Sequence, residues 1–253
     1  MEKRSLRERL LAFGLEADAA ERLASYGMAV LDANTRFNLT GAKTAEHIFE
    51  QIASSLTLLP YAQGPLADLG SGAGFPAVPI AIAGGLAVTM IESNAKKALF
   101  LRRTAETLGL RFEIRCERAE TAAHREGLRE AFVSASARAV ASVTTAIELV
   151  LPFVEVGGLA ILPRGRLSKA ERDALADAAM ILGGELEAVH AAKTGGEIAL
   201  VRKRNRTPQR FPRRTGIPAK RPLCDVSRET SRNSNGRLRV VNQNAETQIT
   251  DIS

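Results

Sequence analysis

The chain has no tryptophan, and aromatic side chains occupy only 4% of its 253 positions. Its core must therefore be built mainly from Ala, Leu, Val and Ile. Cysteine is scarce as well. Cys116 and Cys224 are too few for a disulfide framework or a thiolate cluster, which points to a reducing, cytoplasmic setting. The three histidines, His47, His124 and His190, share no HxxxH or HxH spacing, so no metal is expected. No secretory leader is expected either, because the basic start is followed by only a six-residue apolar patch ahead of Glu16. Charge is missing between Leu69 and Ile91, a stretch long enough to span a bilayer. Pro76, Pro79 and five glycines interrupt it, so it reads as turn, helix, turn and buried strand, and no membrane partner is expected.

Acidic residues are absent from 202–223, RKRNRTPQRFPRRTGIPAKRPL, which carries nine Lys/Arg. The whole chain is at +7 and residues 224–253 are neutral, so the first 201 residues carry −2. A slightly acidic body with one short basic segment suits a polyanionic partner. Phe211 is the only aromatic residue there, which favours nucleic acid over a membrane surface.

What is present is an ordinary globular composition, 45% hydrophobic and 25% charged. Apolar residues at three- and four-residue spacing predict helices over 4–14, 17–34 and 45–58. A strand–helix alternation follows. Strands are predicted at 66–69, 87–91, 111–115, 132–137, 157–162, 185–190 and 196–202, with helices near 76–83, 94–108, 143–151 and 168–181. Such alternation implies a parallel sheet covered on both faces, and the short turn before the last strand implies one antiparallel hairpin. Order is expected to fade after Val201, where prolines and charges accumulate, and 224–253 is expected to be disordered.

At the first strand–helix turn stands LADLGSGAGFPAVP, Leu66 to Pro79. In an open α/β sheet this is where a ligand sits, because glycines admit close backbone approach and the next helix offers free N–H groups. A P-loop needs GxxxxGK, and no lysine is near. The dinucleotide fingerprint needs GxGxxG, whereas this loop reads GxGxG with Phe75 at the last glycine position. Glu92 follows the second strand about twenty residues on, placed to accept both hydroxyls of a ribose. A ribose without a pyrophosphate fits S-adenosylmethionine, with Asp68 near its cationic end. A tight turn holding no ligand is the competing reading, and an NAD-dependent oxidoreductase is a weaker one.

The runs DLGSGAGFPAVPIAI, IESNAKKALFLRR, RAE at 118–120, ARAVA at 137–141, TPQRFPRRTGIPAKRPL at 207–223 and the upstream RFNLTGAK resemble the glucose-inhibited division protein B family. These are bacterial 16S ribosomal RNA (guanine-N7) methyltransferases of the 530 loop, and the resemblance covers about residues 17–223. It implies an α/β, Rossmann-like class I methyltransferase sheet with helices on both faces, an N-terminal helical cap and a disordered C-terminal tail. It further implies S-adenosylmethionine as cofactor, held by Gly70, Gly72, Phe75, Glu92, Ser93, Asn94, Ala119, Glu120 and Arg138. Glu92 would take the ribose, Phe75 would pack beside the cofactor, and Ala119 would present backbone groups to the adenine. The domains then read as a cap at 1–58, a cofactor-binding domain at 59–202, a basic proline-containing extension at 203–223 and the tail at 224–253. Many members carry Arg-His-x-x-Asp-Ser in the third helix, where this chain has EQIASS, Glu50 to Ser55.

Guanine N7 has a lone pair and no proton, so its methylation needs alignment more than a base. No residue is singled out as catalytic. N7 points into the deep, narrow major groove of A-form RNA, so the target base should lie in a loop or leave the stack. Asn38, Arg164, Arg213 and Arg214 are the candidates for RNA contact, with the basic extension as a grip separate from the cofactor site. The partner would be 16S rRNA or the small subunit, and the chain a monomer. A second reading is a cofactor- or RNA-binding assembly protein with little turnover. Finally, Val226–Thr230, VSRET, can be encoded by fifteen bases whose first fourteen form a palindrome that resembles a chromosome-partitioning site.

Overall fold

A computed structural model describes residues 2–138 and 142–224. Three helices come first: α1 (Glu2–Ala12), α2 (Ala17–Arg36) and α3 (Ala45–Leu56). The alternating part follows as β1 (Leu66–Leu69), α4 (Ala77–Gly84), β2 (Val88–Ile91), α5 (Ala95–Thr107), β3 (Glu113–Arg115), α6 (Ala119–Ala122), β4 (Phe132–Ala137) and α7 (Val143–Val150). It closes with β5 (Val154–Arg164), α8 (Lys169–Ile181), β6 (Gly184–Ala191), β7 (Glu197–Lys203) and a short α9 (Ile217–Lys220).

The seven strands form one sheet in the order β3-β2-β1-β4-β5-β7-β6. The first five run parallel, and β7 is antiparallel to both neighbours. This is the Rossmann-like sheet with helices on both faces that the resemblance implies. Period-two alternation divides the strand side chains between two cores. Leu66, Val88, Met90, Leu159, Ile161, Ile198 and Leu200 point to one face, where α1–α5 pack. Ala67, Leu69, Ile91, Ala160, Leu162, Ala199 and Val201 point to the other, under α7 and α8. The N-terminal helices share the first core: Leu23, Tyr26, Val30, Ile48 and Ile52 lie with Ala73, Phe75, Val78 and Ile80. Side-chain caps fix several helix starts, including Thr44 before α3, Asn94 before α5 and a Ser168–Glu171 capping box before α8.

The structure departs from the sequence reading in three places. Strand β5 begins at Val154, three residues early, because Val154 pairs with Phe132 ahead of a register shift. The one-turn helices α6 and α9 have no periodicity long enough to announce them. The third departure is larger. Order does not fade after Val201. Lys203 is fully buried, paired with Glu130 at 2.9 Å and donating to the Leu151 carbonyl and Thr207 Oγ1. Arg129 donates to the carbonyls of Ala123, Thr207 and Phe211. Thr145 Oγ1 donates to the Pro218 carbonyl at 2.9 Å. The segment is ordered because acids on the body, which composition cannot locate, meet several of its cations: Glu187 meets Arg202, Glu130 meets Lys203, Glu185 meets Arg204 and Glu148 meets Arg213. Residues 139–141 of the ARAVA run and the tail from 225, VSRET included, lie outside the described residues. Among the described residues no helix is long and apolar enough to cross a membrane.

Candidate cofactor site

Parallel strands place the loops after β1, β2, β3, β4 and β5 along one edge of the sheet, so the candidate residues converge there. The loop after β1 turns sharply. Gly70 N–H donates to the Ile91 carbonyl at 2.8 Å and Gly74 N–H to the Ser71 carbonyl at 2.7 Å. Two glycines are required for different reasons. Gly72 has φ +58, and a Cβ there would meet only the Gly70 carbonyl oxygen at 3.8 Å, so the ground above it is open. Gly74 has φ +104, and a Cβ there would lie 2.7 Å from Val78, 3.0 Å from Leu101 and 3.1 Å from the Tyr26 hydroxyl.

Glu92, nearly buried, ties this loop to α5. Its Oε2 accepts from Gly72 N–H at 2.8 Å and its Oε1 from Asn94 N–H at 2.7 Å. Each oxygen keeps acceptor capacity for a further donor. Asn94 in turn caps α5, its side chain accepting from the N–H groups of Lys96 and Lys97. Ser93 and Asn94 are exposed beside the loop.

Asp68 is fully buried at the end of β1. Its Oδ1 accepts from Ser136 Oγ at 2.8 Å, while Oδ2 has no hydrogen-bond partner among the described residues. Burial pushes its pKa up to about 6, against the opposing pull of Ser71, Ser136 and Arg138. Arg138 lies with its guanidinium carbon 5.2 Å from the centre of the Phe75 ring. Tyr26, from α2, packs edge-on against the same ring at 5.2 Å and donates its hydroxyl to the Ala73 carbonyl at 2.8 Å. Sequence reasoning missed Tyr26 and Ser136. Neither carries a local signal, and Tyr26 lies 47 residues before its partner.

The other candidates divide. Ala119 opens α6 after β3, on the same edge of the sheet. The Glu120 carboxylate accepts from Gly216 N–H at 3.0 Å, so its side chain anchors the C-terminal segment. Arg164 ends β5, and burial lowers its pKa from the usual arginine value. Asn38 and Arg214 are exposed. Arg213 is a correction. Its guanidinium is bidentate to the fully buried Glu148, at 2.8 and 2.6 Å, and also donates to the Arg221 carbonyl at 2.7 Å. An arginine so engaged is a structural pin and not an RNA grip. The extension is clasped to the body at Lys203, Thr207, Arg213, Gly216 and Pro218, and joined through Glu120 to the element that carries Ala119.

Comparison with known proteins gives the family of the chain. The model of a family described as rRNA small subunit methyltransferase G matches residues 19–201. A protein of Chloroflexus aggregans, named ribosomal RNA small subunit methyltransferase G, is 40% identical over 75% of this chain and 84% of its own length. A protein of the same name from Moorella thermoacetica is 36% identical over 86% of this chain and 98% of its own. Among solved structures, a variant of the branched-chain polyamine synthase of Thermus thermophilus superposes with a TM-score of 0.52 at 13% identity. It covers 72% of this chain and 64% of that one, a likeness of fold alone.

Proposed function

Since the chain belongs to the rRNA small subunit methyltransferase G family, we propose that it methylates N7 of a guanine in the 530 loop of 16S rRNA, using S-adenosylmethionine. It would act as a monomer in the cytoplasm. The observation that carries the reading is Glu92, which holds the open glycine loop with one oxygen and the start of α5 with the other, and keeps acceptor sites for a ribose. The site fits this cofactor in a second respect. The unpartnered Oδ2 of Asp68 offers a buried anion to a cationic group.

When bound, the cofactor supplies a methyl group on a positively charged sulfur. The residues of the chain bind and orient. Glu92 would take the ribose hydroxyls, the Gly70–Gly72 backbone would lie against the ligand, and Phe75 would wall it beside Arg138. Ala119 would offer backbone groups to the adenine, with Ser93 and Asn94 at the ribose edge. N7 brings its own lone pair and has no proton to lose. Holding it in line and excluding water is then the main task, worth at most roughly 7–11 kcal/mol. Asn38, Arg164 and Arg214 would contact the RNA.

Methylation at N7 fixes a positive charge on the ring and makes the strand cleavable after mild reduction. Ribosomal RNA from cells lacking this protein should lose one such position in the 530 loop. Re-expression should restore it, and Gly72→Asp should not, since the new side chain would fill the open ground above the loop. A wild-type RNA without a cleavable guanine there would end the reading.

A further inference from the structure

The outward face of α5 begins next to the cofactor loop, because Asn94, its cap, is held by Glu92 at 2.7 Å. Lys96, Leu99 and Arg103 recur on that face at helical spacing and are exposed, Leu99 by 46%. Across from them stands the C-terminal half of α2, and the two helices enclose a groove of about 470 Å³ whose far wall includes Arg36 and Phe37. A second depression, about 850 Å³, shares Asp32, Arg36 and Phe37 with the first and runs on to Asn38 and Lys43. The two adjoin at these three residues and are taken together as one track.

The charge of this track stands out against the body. Its lining contains four cations, Arg36, Lys43, Lys96 and Arg103, and two acids, Glu2 and Asp32, a net +2. The first 201 residues together carry −2. Asp32 is already paired with Arg36, whereas Lys96 and Arg103 make no ion pair among the described residues. Phe37 and Leu99 supply apolar surface between the cations. Cations that track a backbone, with apolar platforms between them, are what an unpaired nucleic acid strand binds.

We propose that this track seats the single-stranded RNA that flanks the target guanine, with Lys96 and Arg103 on phosphates and Phe37 and Leu99 beneath bases. The inference rests on the rRNA substrate reading and adds to it where the strand lies. It also gives the KKALFLRR run a role that cofactor binding leaves unused.

The test uses the full chain and protein-free 16S rRNA, with affinity measured over a salt series. Lys96→Ala with Arg103→Ala should reduce the salt slope by about 1.4, two single-strand phosphate contacts at roughly 0.7 each. Calorimetric affinity for S-adenosylmethionine should stay unchanged, which shows that the fold is intact. Arg4→Ala with Lys169→Ala, exposed cations outside the track, should leave the slope unaltered. An unaltered slope in the first variant, or an equal loss in the second, overturns the proposal. So does a loss on whole subunits without a loss on bare RNA, which would give the track to a ribosomal protein. If the wild type neither binds nor methylates the RNA, the substrate reading itself fails. If it methylates and the first variant keeps its slope, only the track fails.

Discussion

Replacing Arg213 by methionine should unfold the chain more readily without weakening its hold on RNA. Glu148 is fully buried and, among the described residues, accepts three hydrogen bonds, all from Arg213: backbone N–H at 2.9 Å, Nε at 2.8 Å and a terminal nitrogen at 2.6 Å. Methionine keeps the backbone bond and most of the volume but removes both side-chain donors. A carboxylate left buried without its cation costs about 3–5 kcal/mol. At roughly 2–4 °C per kcal/mol for a chain of this size, the melting temperature should fall by about 6–20 °C. Urea titration should show the midpoint falling at constant m, a loss of stability with no change in the surface exposed on unfolding. Changing Glu148 to leucine in the same chain should restore most of the loss, because a well-packed apolar pair can replace a buried ion pair at little cost. A single-variant loss under about 1 kcal/mol would refute the buried clasp. A salt slope for RNA that drops by about 0.7 in Arg213→Met would return this arginine to the RNA surface.

Other outcomes follow from the site. Glu92→Ala should weaken S-adenosylmethionine binding by about ten- to a hundredfold, the worth of a hydrogen bond to a charged group, as read by calorimetry; an unchanged isotherm would remove Glu92 from the site. Asp68 has a folded pKa of about 6, against about 3.9 unfolded, so the folded chain retains a proton that the unfolded chain releases. Stability should therefore fall as pH rises through the window from 4 to 6, by about 3 kcal/mol at most, and Asp68→Asn should flatten that dependence in pH-resolved urea melts. Tyr26→Phe keeps the ring against Phe75 and loses the bond to the Ala73 carbonyl. It should cost about 1 kcal/mol or more of stability, since a buried carbonyl loses its donor, and a loss near zero would show that the loop holds its shape without α2.

The glycine loop was legible in the sequence. Gly70, Gly72 and Gly74, an acid after the second strand, and alternating apolar runs are local signals, and local backbone physics turns them into a strand, a turn and a capped helix. The same holds for the paired glutamate. The distance in sequence from Gly72 to Glu92 is set by one helix and one strand, so spacing alone could place the carboxylate under the loop. The basic segment is the opposite case. Composition reports nine cations and no acids, a sum that suits a polyanion, but not which acid each cation meets. Arg213 meets Glu148 from 65 residues away and Lys203 meets Glu130 across 73, and burial turns these charges from a surface grip into a clasp. Tyr26 is legible only as one apolar position in a helix. Only the packing of α2 onto α4 brings its hydroxyl to the glycine loop, because a long-range hydrogen bond depends on where two elements come to rest. Periodicity and glycines thus settled the sheet and the loop, which are local, while the tertiary structure alone settled the partners of the buried charges.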